Sequence, residues 1–220
     1  MHMKNSIYIV GLALLLALPV GAATPLTGKT IALDAGHGGG ENGASGYCNG
    51  VQVTEAEVNL AVRAELKALL ITSGASVHDV EQLSSRHDRV ADAEAAGSDV
   101  LVSIHHNGSS DTSVDYTQSF VTQRNDKALA SPIHAALLAA LELPNKGIKN
   151  DGYGMTVYGS LPGVLTEAYF ITNTAAACDF LNYTNGATNA RVQKEAQAMH
   201  DGLLEYFTQN SGGGGKGRNK

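Results

Sequence analysis

Apolar residues fall along the chain in two kinds of run. Short, almost continuous ones at residues 30–33, 77–80, 100–104 and 164–171 have the length and composition of strands buried on both faces. Longer stretches repeat at helical spacing: Val58, Val62, Leu66 and Leu69 before Gly74; Leu129, Ile133, Leu137 and Leu141; and Val192, Ala196, Met199, Leu203 and Phe207. Residues 89–96 predict another helix, closed by Gly97. Thr54 and Glu57 have the spacing of a capping box at the start of the Val58 helix. Pro132 is expected to shorten or kink the helix that contains it. Phe120 and Val121 mark a further strand, and residues 155–158 are expected to pair with 164–171 across the turn Gly159-Ser-Leu-Pro-Gly. Strands alternating with helices predict one α/β domain, a mostly parallel twisted sheet flanked by helices on both faces.

The two ends do not share this patterning. Lys4 precedes an apolar run over residues 7–18 that closes on Pro19 and the small residues Gly21, Ala22 and Ala23, so residues 1–23 read as a cleaved signal peptide, with an uncleaved anchor as the alternative. Export to the periplasm or the medium follows, without stable membrane insertion once the leader is removed. Residues 211–220 carry no apolar side chain to offset the entropy of ordering them, and are expected to form a disordered Gly-rich basic tail. The catalytic domain is then residues 24–210. Its charge differs from that of the whole chain: setting aside Lys4, Lys216, Arg218 and Lys220 leaves 11 basic side chains against 21 acidic ones, or −10. Such a body repels phosphate backbones, which excludes nucleic acid as a partner. Cys48 and Cys178 are the only cysteines; a disulfide and two separate thiols both remain open, and two cysteines cannot build a Cys-rich zinc site.

The carboxyl ends of parallel strands share one edge, where ligands bind. His37 follows the first strand in Asp34-Ala-Gly-His-Gly-Gly-Gly, Glu55 opens the next helix, and His105 ends the strand at 100–104. Two imidazoles and a carboxylate make a three-ligand site with a fourth position for water, the pattern of a catalytic zinc ion. The Gly-rich loop around His37 lacks the Lys-Ser/Thr pair of a phosphate-binding loop. Glu55 could simply favour the helix dipole, worth under about 1 kcal/mol, but Glu57 already has the capping position and leaves Glu55 free. His105 and His106 point to opposite faces of an extended segment, so one of them faces the metal and the other is structural. His87, His134 and His200 have no clustered carboxylate or cysteine and read as surface or packing residues. Glu167 interrupts an apolar strand, where an unpaired carboxylate is costly. A salt bridge is the plain explanation; the functional one is a general base, lifted in pKa by desolvation, that takes a proton from water and returns it to the leaving nitrogen.

The words Leu33-Asp-Ala-Gly-His-Gly-Gly, Thr54-Glu-Ala-Glu-Val-Asn-Leu, Ser103-Ile-His-His-Asn and Val164-Leu-Thr-Glu-Ala-Tyr-Phe-Ile-Thr-Asn, in that order, resemble the zinc-dependent N-acetylmuramoyl-L-alanine amidases. The similarity extends to Arg89 and to Asn145-Lys-Gly-Ile-Lys. The resemblance implies metal ligands at His37, Glu55 and His105, a catalytic Glu167, one Zn²⁺ ion, and hydrolysis of the amide between N-acetylmuramic acid and L-alanine in peptidoglycan or muropeptides. Three positions depart from the family pattern. Glu94 stands where Asn is frequent, Lys146 where Arg precedes Gly147, and His106, where a small residue is common, is expected to narrow or polarise the cleft. No inhibitory helix is expected in the roughly twenty residues after His106, which implies a constitutively open cleft and leaves any protein activator unknown. The competing readings are a zinc exopeptidase acting on free peptides and a catalytically silent wall-binding module.

Overall fold

A computed structural model of the chain describes residues 23–150 and 154–211. All of the expected leader except Ala23, and all of the expected tail except Ser211, lie outside the described residues. Eight strands alternate with five helices: β1 (Thr30–Ala35), β2 (Ser45–Cys48), β3 (Val51–Thr54), α1 (Glu55–Thr72), β4 (Ser76–Asp79), α2 (Arg86–Ala95), β5 (Val100–Asn107), β6 (Thr117–Val121), α3 (Asp126–Leu141), β7 (Asn145–Asn150), β8 (Gly163–Phe170), α4 (Thr174–Thr184) and α5 (Arg191–Ser211). Six strands form one sheet in the order β4-β1-β5-β8-β6-β7. The pairings are parallel except for β6 against β8. No described helix is long and apolar enough to cross a membrane.

Alternation along the strands divides the core between the two faces of the sheet. Ile31, Leu33, Val100, Val102 and Ile104 turn to the larger core, beneath α1, α3, α4 and α5. Ala32 and Leu101 turn the other way, to a small cluster with Val80, Val90, Ala93 and Met155 under α2. Helices therefore flank both faces, but unequally, and among the described residues α2 is the only α-helix over the second. The capping box at the head of α1 is formed: Thr54 Oγ1 accepts from Glu57 N–H at 3.4 Å, and Glu57 Oε2 accepts from Thr54 N–H at 2.9 Å. It fixes the position of Glu55, the first residue of the helix.

Several elements differ from the sequence expectation. Residues Gly154–Val157 form a 3₁₀ turn and not a strand, because Met155 is drawn into the small core under α2. β8 accordingly pairs with β5 and β6 instead of forming a hairpin. α3 is not cut short by Pro132 and runs on to Leu141. The β2–β3 hairpin, β7 and α4 are short or weakly apolar and carry no strong periodic signal. Cys48 and Cys178 form a disulfide that ties this hairpin to α4 across 130 residues of sequence.

Candidate metal centre and its cleft

His37 lies just beyond β1, with a left-handed φ of 64°. Its loop is held from below by Arg89, whose Nη2 donates to the His37 carbonyl at 2.7 Å and whose Nε donates to the Leu83 carbonyl at 2.6 Å. Arg89 Nη1 reaches Asp34 Oδ1 at 2.8 Å, and Asp34 Oδ2 accepts from Ser103 Oγ at 2.6 Å. The buried clamp thus spans α2, β1 and β5. It uses the planar donor fork that only Arg provides. Gly36 completes the turn, since a Cβ there would run into the His105 ring.

Glu55 sits between the two imidazoles. Its Oε2 lies 3.0 Å from His37 Nε2 and its Oε1 lies 2.9 Å from His105 Nδ1. The same carboxylate accepts from the Ala44 and His106 backbone N–H groups at 2.9 and 3.1 Å, so its orientation is fixed from four directions. Burial acts to raise the Glu55 carboxyl, but the hydrogen bonds with His105 and His37 outweigh it and hold the group well below the usual carboxylate range. The Glu55 bond raises His37 to about 8, against the opposing effect of burial. Glu41 Oε1, 3.0 Å from His37 Nδ1, orients the far side of that ring.

One nitrogen from each His and one oxygen from Glu55 lie within 4.8 Å of one another. Two imidazoles and a carboxylate converging this closely fit a zinc ion with one position open.

Glu167 is the register partner of His105 across β5 and β8. It is 8% exposed, and its Oε2 has no hydrogen-bond partner among the described residues. Burial, reinforced by the charge of Glu55, raises its carboxyl to about 8. The alternative of a salt bridge to Lys or Arg does not hold, since no such partner faces it among the described residues. A cleft of about 320 Å³ is bordered by His37, His105, Asp34, Leu165, Met155 and Arg86.

A family model described as N-acetylmuramoyl-L-alanine amidase matches residues 31–203. The chain belongs to this amidase family. It is 37% identical to the Bacillus subtilis (strain 168) protein YqiI, over 93% of this chain and 98% of that one. It is 32% identical to the N-acetylmuramoyl-L-alanine amidase LytC of the same strain, over 83% of this chain but 36% of LytC. The chain thus spans about a third of the length of LytC. Its fold matches the solved catalytic domain of CwlV, an N-acetylmuramoyl-L-alanine amidase from Bacillus (Paenibacillus) polymyxa var. colistinus, with a TM-score of 0.72 and 25% identity, over 82% of this chain and 98% of that one.

The amidase family is zinc-dependent, in keeping with the His37, Glu55 and His105 cluster. Its three departures take definite places in the fold. His106 points away from the cleft, contrary to the expectation that it would narrow or polarise it: it is buried on the α1 and α5 side, 2.7 Å from Asn59 Oδ1 and 2.9 Å from Glu195 Oε2. Strand alternation forces this orientation, because His105 already faces the other way. Asn59 Nδ2 in turn donates to the Gly36 carbonyl at 3.0 Å. Glu94 Oε1 accepts from the Ser160 N–H and hydroxyl at 2.6 and 3.0 Å, fixing the turn before β8. The Lys146 ammonium lies 5.2 Å from the centroid of the Tyr116 ring. No helix is inserted between β5 and β6.

His134 is buried between Ser119 and Asn145, and His200 bonds Ser73, while His87 is exposed. The supporting residues that sequence reasoning did not single out are Asp34, Asn59, Ser103 and Glu195. Each is a polar residue at an otherwise apolar position, and that was the available signal.

Proposed function

We propose that the chain is an exported zinc-dependent N-acetylmuramoyl-L-alanine amidase, with His37, Glu55 and His105 holding one zinc ion and Glu167 moving protons. The observation that carries this reading is the buried Glu167 carboxyl, whose Oε2 has no hydrogen-bond partner among the described residues, beside a convergent His-Glu-His set within a chain of the amidase family. A bound zinc ion supplies Lewis acidity toward the attacking water and the scissile carbonyl.

The protein's own residues do the rest. Glu55 fixes both imidazoles, and Glu41 and the Arg89 clamp hold His37 in place. The ionised Glu167 takes a proton as water adds to the lactyl carbonyl carbon, and delivers it to the alanine nitrogen as the C–N bond breaks. The products are a free carboxylate on the muramic acid and a stem peptide with a free L-alanine amine. A cation in the site favours the ionised form of Glu167 that the first step needs, offsetting the burial that otherwise keeps it protonated.

The leader at residues 1–23 would carry the enzyme to the wall, where intact peptidoglycan or muropeptides are the substrate. The test is mass spectrometry of purified sacculi digested by the zinc-loaded protein, with and without chelator. Stem peptides beginning with a free L-alanine amine, absent when chelator is present, are expected. Stepwise loss of terminal amino acids would indicate an exopeptidase instead, and wall binding without release would indicate a silent binding module.

A further inference from the structure

The cleft has a charged wall that the hydrolytic chemistry does not use. Arg86 borders the same cavity as His37 and His105. It is the first residue of α2, three residues ahead of Arg89, which clamps the His37 carbonyl; at that spacing the two arginines project from one side of the helix. Arg89 spends its donors on Leu83, Asp34, Ala35 and His37. Arg86, by contrast, makes no hydrogen bond or ion pair among the described residues.

Two physical arguments separate Arg86 from an ordinary solvated surface charge. A cation in the first turn of a helix opposes the helix dipole, so Arg86 sits where it gains nothing for α2. The other charged residues bordering the cavity are already engaged, Asp34 with Arg89 and Glu41 with His37, in a body carrying −10. Arg86 is the arginine of this cavity wall that, among the described residues, is left without a partner and so is free to meet an anionic substrate group. The guanidinium fork matches a carboxylate in two-point geometry.

We propose that Arg86 is a specificity-determining residue that binds a carboxylate of the stem peptide, one residue beyond the L-alanine whose amide is cut. The inference rests on the amidase reading. The carboxylate nearest the scissile bond on the leaving side belongs to the residue after that L-alanine, which is the group an arginine on the wall of the same cavity would meet first.

The test compares N-acetylmuramoyl-L-alanyl-D-glutamate, whose α-carboxylate is free, with N-acetylmuramoyl-L-alanyl-D-isoglutamine, where that group is an uncharged amide. With the zinc-loaded protein, the ratio of kcat/KM for acid over amide is expected to be about tenfold or more, the worth of a charge-assisted hydrogen bond. In Arg86→Ala the ratio is expected to fall to near 1, with Arg86→Lys between them, and the acid preference of the unsubstituted protein is expected to shrink as salt is added. Melting temperature is expected to be unchanged in both variants, because Arg86 makes no hydrogen bond or ion pair among the described residues. A protein with no acid preference, an Arg86→Ala variant that keeps it, or an equal loss on both substrates would overturn the proposal. Failure to cleave either compound would instead count against the amidase reading.

Discussion

At the scale of single residues, the centre is a set of competing charges. Glu55 is tied to two imidazoles and two backbone N–H groups, and its bond raises His37 to about 8. A proton on His37 competes directly with a metal ion, because only the neutral imidazole can ligate. Zinc affinity is therefore expected to be flat above pH 8 and to fall by about tenfold per pH unit below it. Binding at pH 7 should release protons, measurable by calorimetry in two buffers of different ionisation enthalpy. Affinity independent of pH between 6.5 and 8.5 would contradict the place given to His37. These side chains were legible in the sequence because each breaks a local pattern: a His in a Gly-rich loop, an acid beside a capping box, an acid inside an apolar strand. The direction of His106 also followed from alternation, but its partners did not. Glu195 lies 89 residues further on and Asn59 lies 47 residues back, distances over which periodicity carries no information.

At the scale of elements, strand ends and helix starts bring the donors together, and a polar clamp locks those elements in register. Arg89 and Asp34 form a buried pair at 2.8 Å, completed by Ser103. Removing one member leaves a buried charge uncompensated. Arg89→Met is expected to cost about 3–5 kcal/mol of stability and to weaken zinc binding through the freed His37 carbonyl. Denaturant unfolding with a parallel zinc titration checks both; a loss of stability under about 1 kcal/mol would show that the pair is dispensable. The continuously apolar strands and the helices with apolar residues at helical spacing were readable from periodicity alone. The 3₁₀ turn at Gly154–Val157 was not, because a short apolar stretch reads equally well as strand or turn until its tertiary partner is known. The β2–β3 hairpin was hidden for a different reason: half of its positions are exposed and one strand contains Gly46, packed against the Ile171 carbonyl.

At the scale of the whole molecule, most of the apolar core and four of the five helices lie on one side of the sheet, and the reactive groups lie on the thinly covered side. That asymmetry leaves an open cleft over β5 and β8 without a helix inserted above it. The Cys48–Cys178 disulfide crosses between the hairpin leading into Glu55 and the α4 helix. A cross-link closing so long a loop constrains the unfolded chain strongly, by about 2–5 kcal/mol. The double substitution of Cys48 and Cys178 by Ser is expected to lower stability by that amount while the folded protein still binds one zinc ion. An unchanged unfolding midpoint would show that the cross-link contributes nothing. The alternating architecture was evident from the sequence, whereas the cysteine pairing depended on how far chain folding brought two distant segments together.

The central claim is that three side chains hold the ion while a fourth moves protons, so the two roles must separate in one variant. The most direct measurement is zinc content and amidase turnover of Glu167→Gln beside His37→Ala, each purified after metal stripping and reloading. Glu167→Gln is expected to keep one bound zinc ion with turnover reduced by about 10²–10⁴-fold, and His37→Ala to lose both metal and activity. Glu167→Gln turning over at the rate of the unsubstituted protein, or losing its zinc, would show that Glu167 is not the proton carrier set apart from the three ligands.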